Sequence, residues 1–317
     1  GAVISLLDQA LLSAVNFSIG LLFIRETTKS DYGLYTQFFG ILLLSQSIQS
    51  AISSAPIVAL GPKLRLRKRR ALETHILRIQ TLISALAGAL AILVVGALSS
   101  RSGAELLTPA MGLAFGLTII SQWLREYARS VHFANYRPAQ ALVTDLVYAG
   151  ILVSGLVYLT LAGRFTTLTV LWTMGTAGLL SGIIGTLLHR IQVLGNHGRP
   201  SLILGEALAI TKWTIPSVIL SWASNYTFVF IVAAILGLAA SAEISAARLL
   251  LMPAGLCIVA WGNVFAPRFS RWWGQRSTAT IQSVAIYSGL ALAVIVIAYA
   301  IVLSLSFPLL VQYVLGS

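Results

Sequence analysis

Four ionisable residues fall inside apolar runs at matching depth: Asp8, Arg78, Asp145 and Lys212, each about two helical turns from the same end of its run. A charge at the centre of a membrane helix costs roughly 2.5–3.5 kcal/mol on insertion scales, so each needs a partner or a wet cavity. Two acids and two bases at one level predict a charged layer that pairs in one conformation and opens in another. The chemistry of such a layer is the movement of an ion or of a charged solute. Asp8 and Asp145 are the stronger candidates, because the long stems of Arg78 and Lys212 also let them snorkel to the headgroups. A second group is polar but uncharged. Gln46, Gln49, Ser50, Ser53 and Ser54 recur at a spacing that places them on one helical face. That stripe predicts either the wall of a hydrated pathway or polar contacts between helices, with two glutamines on one face favouring the pathway.

Other chemistry-bearing residues carry less. Arg248 and Glu105 sit at one level and suggest a gate pair, with interfacial solvation the simpler reading for Glu105. Arg125 and Glu126 are sequence neighbours that point to different faces, which predicts an interfacial position for both. His75, His132, His189 and His197 lie near the ends of runs without paired spacing, as surface histidines do. Trp272 and Trp273 beside Arg271 have the amphipathic character of a headgroup anchor. The single Cys257 excludes a disulfide framework, and no metal-ligand spacing or catalytic constellation is present.

The elements that position these groups are set by composition. Of 317 residues, 57% are hydrophobic and 9% charged, where ordinary soluble domains carry about a quarter charged. The runs are long and continuous rather than short and alternating, which predicts an all-α, polytopic membrane protein. Nine spans are expected, at about 2–24, 33–60, 73–98, 105–127, 139–161, 166–189, 206–236, 243–266 and 280–306. Lys63, Arg65, Arg67, Lys68, Arg69 and Arg70 fill one connection, and alternate connections are basic thereafter, so the N-terminus is expected in the cytoplasm. The formal net charge of +12 is thereby read as topology and anionic-lipid contact, not as nucleic-acid binding. No cleavable signal peptide is expected at the start, and the lack of an initiator Met together with an end directly after an apolar run predicts trimming at both ends.

The segment Ser13-Ala14-Val15-Asn16-Phe17, followed by Tyr32-Gly33-Leu34-Tyr35, has an echo in Ser221 to Tyr226 followed by Glu243 to Arg248. Both segments begin on the same side, which predicts two parallel six-helix repeats: an N-terminal bundle at 1–200 and the first three helices of a second, incomplete bundle at 201–317. With Asp8-Gln9, Arg25, Asp31, and Ala266-Pro267-Arg268-Phe269-Ser270 added, the chain resembles the polysaccharide and O-antigen flippase branch of the multidrug/oligosaccharidyl-lipid/polysaccharide (MOP) exporter superfamily. The resemblance implies about nine of roughly 12–14 transmembrane helices around a central cavity, alternating access, and a bacterial inner membrane. It implies as cargo an undecaprenyl-type lipid-linked oligosaccharide, carried from the cytoplasmic to the outer leaflet. In that reading Arg78, Lys212 and Arg248 face the anionic group, and Gln46, Gln49, Asn16 and Asn225 face the sugars. Asp8 and Asp145 then bind a coupling proton or sodium ion, no other cofactor is expected, and glycan-polymerising machinery is a candidate partner. A multidrug exporter of the same superfamily is the alternative. A membrane glycan polymerase or glycosyltransferase ranks below both, since the connections on the side away from the basic loops are too short to gather a catalytic site.

Overall fold

The computed structural model describes residues 2–102, 107–189, 201–272 and 278–310. Among them the chain is helical throughout. The helices are α1 (Ala2–Glu26), α2 (Lys29–Gln49), α3 (Ala55–Leu60), α4 (Leu66–Ser102), α5 (Pro109–Ala134), α6 (Pro138–Leu161), α7 (Thr167–His189), α8 (Ser201–Leu236), α9 (Leu238–Trp272) and α10 (Thr278–Leu310). A π turn at Ser50–Ser54 joins α2 to α3 without a break, so these form one span, and a short 3-10 turn at Gly61–Lys63 ends it. All nine expected spans are present as helices. Seven are long and apolar enough to cross a membrane by length and composition.

α5 is not one of those seven, and it is the helix on which the bundle is built. It packs along α4 on one side and α7 on the other, while α6 fills the space between α7 and α1. The close approach to α7 depends on small residues. A β-carbon at Gly182 would lie 3.0 Å from the Arg125 backbone nitrogen, and one at Gly185 would lie 2.8 Å from the Ala128 β-carbon. Glycines let membrane helices meet backbone to backbone, where dispersion and polar contacts replace the hydrophobic effect. Pro109 opens α5, where its missing N–H costs nothing.

The expected fourth span, 105–127, is displaced by several residues. The helix continues to Ala134, so Arg125, Glu126, Arg129 and His132 all lie within it. His132 is therefore not a surface residue: it is fully buried, with Nε2 3.0 Å from the Gly185 carbonyl oxygen. His189 is half-buried and its Nε2 lies 3.2 Å from the buried Glu73 carboxylate, which also accepts from Asn135. His197, Glu105 and Trp273 lie outside the described residues.

α2 connects this bundle to the following helices. It packs against both α8 and α9, with Gly33 directly against the Leu238 carbonyl. Trp222 donates to the Gly40 carbonyl at 2.8 Å and Gln37 donates to Ser241 at 2.8 Å. At the end of the bundle away from the Lys63–Arg70 loop, hereafter the far end, Lys29 and Glu243 form an exposed ion pair at 2.7 Å. There the Asp31 carboxylate also accepts from the first backbone N–H of α7, at Thr167.

Candidate functional site: a charged network and two compartments

At the basic end of the bundle, α1, α5 and α6 bring five charged side chains together. Arg129 donates to Asp8 at 2.8 Å and to Glu126 at 2.8 Å, and its Nε lies 2.5 Å from Asp145. Arg125 reaches Glu126 at 2.7 Å and Asp145 at 3.4 Å, and its guanidinium lies 3.9 Å from the centre of the Tyr148 ring. Asp8, Arg125 and Asp145 are buried. With all five ionised, three carboxylates face two guanidiniums, and one negative charge is in excess. The excess has a geometric counterpart: among the described residues Asp8 Oδ1 and Asp145 Oδ2 accept no hydrogen bond, the Arg129 Nε–H not being aligned on Asp145 despite the short contact.

The expected charged layer is thus present in its acids and corrected in its bases. Asp8 and Asp145, 137 positions apart in sequence, share Arg129 as a partner. The cations come from α5, not from α4 and α8: Arg78 and Lys212 are exposed, and the Lys212 ammonium lies 5.8 Å from the Trp213 ring centre. The physical reason is reach. Asp8 and Asp145 are short, and only a helix packed between α1 and α6 can bring a guanidinium to both. The interfacial position expected for Arg125 and Glu126 is overturned for the same reason. The signal in the sequence was Arg125 and Arg129 at i and i+4 on one helical face, with Glu126 three residues before Arg129.

Above this network lies a polar cavity of about 290 Å³, bordered by Gln9, Ser13, Asn16, Gln46 and Gln122 together with Arg125 and Arg129. The serine and glutamine stripe of the second span only partly faces it. Gln46, Gln49, Ser50 and Ser54 line the cavity, whereas Ser53 is fully buried away from it. The π turn is the cause, since its wider winding breaks the single face that regular helical spacing predicts. Gln49 serves packing as well: its amide donates to Gln80, which donates in turn to the Trp123 carbonyl. Gln122, 1% exposed, has a side-chain oxygen without a partner among the described residues.

A second cavity of about 260 Å³ lies toward the far end. Its walls are aromatic: Tyr32, Tyr35, Phe39 and Tyr226. Arg248 supplies its charge, stacked 4.2 Å from the Tyr226 ring centre and donating to the Asn225 carbonyl at 2.7 Å. Among the described residues no carboxylate pairs with it. The Asn225 side chain does not line either cavity; its amide bonds back to the Ser221 carbonyl. Asn16 borders both.

The sequence matches no protein-family model and no curated protein. The structure does have a counterpart, a MOP superfamily transporter from Pyrococcus furiosus whose solved structure is described by a binding pocket of reverse polarity that suggests a different function. The two align with a TM-score of 0.67 over 99% of this chain and 72% of that one. This chain shares the fold of that transporter. With 12% of aligned residues identical, the likeness is one of architecture.

Proposed function

We propose that this protein is a membrane transporter of the alternating-access kind, and that its cargo is a lipid-linked oligosaccharide carried from the cytoplasmic to the outer leaflet of a bacterial inner membrane. The observation that carries the reading is the polar cavity, which holds amides and a carboxylate–guanidinium network inside an otherwise apolar bundle. The fold shared with a MOP superfamily transporter supports transport as the activity. Amides both donate and accept, which suits sugar hydroxyls, and an arginine binds a phosphate through charge-assisted bonds. In this reading Gln46, Gln49 and Asn16 take the first role and Arg248 the second, with the lipid tail left in the bilayer. The N-terminus is cytoplasmic in this reading. Asp8 and Asp145 take a proton or a sodium ion, which fills the acceptor positions at Asp8 Oδ1 and Asp145 Oδ2 and neutralises the excess charge.

One observation favours a second reading. With Arg78 and Lys212 exposed, the bases expected inside the membrane do not join the charged network, where three carboxylates meet two guanidiniums. An acidic network beneath the cavity suits an organic cation, as in a multidrug exporter. Deleting the gene and following lipid-linked glycan in the inner leaflet separates the two. Accumulation cleared by wild type but not by Asp8→Ala supports the flippase and the role of the carboxylate. Normal glycan export with a fall in resistance to cationic drugs puts the exporter in its place.

A further inference from the structure

The two cavities share three bordering residues: Asn16 on α1, and Phe39 and Leu43 on α2. Phe39 and Leu43 stand at i and i+4 and so project from one face. The Phe39 ring lies parallel to that of Tyr35, with centroids 5.7 Å apart, and Tyr35 is stacked in turn on Phe23 at 4.1 Å. Phe39 is therefore backed on one side by a fixed aromatic column rooted in the core. On one side of these three residues is the cavity bordered by Arg125, Glu126 and Arg129; on the other is the cavity that holds Arg248. Two apolar side chains between two spaces that each hold a charged group make a constriction that resists wetting, and apolar constrictions gate membrane pathways in that way.

We propose that Asn16, Phe39 and Leu43 form the gate between the two compartments, with the Phe39 ring as its closing element and Asn16 as its one polar contact for a passing solute. The proposal rests on the transport reading for its purpose but not for its geometry. A solute crosses only when Phe39 turns off the Tyr35 column, so the size of residue 39 sets the rate of exchange between the compartments. It also sets which solutes pass.

The test uses the full chain with Cys257→Ala as background and Ser13→Cys as a reporter in the basic-end cavity. In sealed vesicles a small, impermeant, cationic methanethiosulfonate is added on the far-end side. Phe39→Ala is expected to raise the labelling rate of the reporter at least about tenfold, the factor that ~1.4 kcal/mol of lowered barrier provides. Phe39→Trp is expected to keep it at or below the wild-type rate. If Phe39→Ala fails to fold, Phe39→Leu is expected to give an intermediate rate. Labelling at the wild-type rate in both the smaller and the larger variant overturns the gate. If labelling responds to residue 39 while lipid-linked glycan is not moved, the gate stands and the cargo assignment falls. If glycan is moved and labelling ignores residue 39, the gate falls and the cargo assignment stands.

Discussion

The two compartments solve opposite electrostatic problems with the same few side-chain types. At the basic end, arginines are held by carboxylates, and the balance leaves an acid without its full set of donors. At the far end, Arg248 is held by the face of Tyr226 and a backbone carbonyl, neither of which cancels its charge. A guanidinium fixed by carboxylates is a structural crosslink, whereas one fixed by a ring and a carbonyl still presents a positive field to whatever enters. With all groups ionised, the chain thus keeps a residual negative charge in the buried network and a residual positive charge in the far-end cavity.

Removing the crosslink should have the largest effect. Arg129→Ala leaves three carboxylates around one guanidinium, and breaking a buried ion pair from one side costs about 3–5 kcal/mol. Thermal unfolding in detergent should show a large fall in midpoint, with Arg129→Lys recovering part of it. Arg248→Ala should cost less, on the order of 0.5–2 kcal/mol, since it loses only a cation–π contact and one hydrogen bond. If its loss matched that of Arg129, the distinction between crosslink and presented charge would fail.

Asp8→Asn sharpens the comparison from the other direction. The substitution brings the network to charge balance and keeps a side-chain oxygen toward Arg129, so stability should change by no more than about 0.5–1.5 kcal/mol, the worth of one hydrogen bond. Transport should nevertheless be lost, and export assays on protein matched for expression would separate the two effects. The smallest change is expected at the far-end surface. Lys29 and Glu243 are 70% and 63% exposed, so Lys29→Ala should cost at most about 1 kcal/mol and less as salt is raised.

The sequence made the helices legible because hydropathy integrates over twenty residues and tolerates errors at the ends. It also made Asp8 and Asp145 legible as a pair, since topology alone places them at one depth. Their partners were hidden by the same measure. Hydropathy counts Arg125, Glu126 and Arg129 as three isolated penalties and ends the span before them, whereas in the bundle they largely satisfy one another. Arg78 and Lys212 lie exposed and outside the network for a related reason: depth says how far along a helix a residue lies, not which way it faces. The far-end compartment was partly visible in Asn16 and Arg248, but its aromatic walls read as ordinary core until Tyr32, Tyr35 and Tyr226 were seen around one space.

The π turn at Ser50–Ser54, with the Ala55 N–H bonded to the Ser50 carbonyl five residues earlier, gives the second span slack in length at one place. An α turn closes over four residues, so the π turn holds one more than a regular helix needs. Deleting one residue there would let the turn close to an α turn and leave Gln46 on the cavity and the fully buried Ile57 near its present neighbours. A deletion in the regular helix on either side has no such slack and would turn everything beyond it by about 100°, the angle between successive residues of an α-helix. A one-residue gap should therefore be tolerated at the π turn and nowhere else along the span.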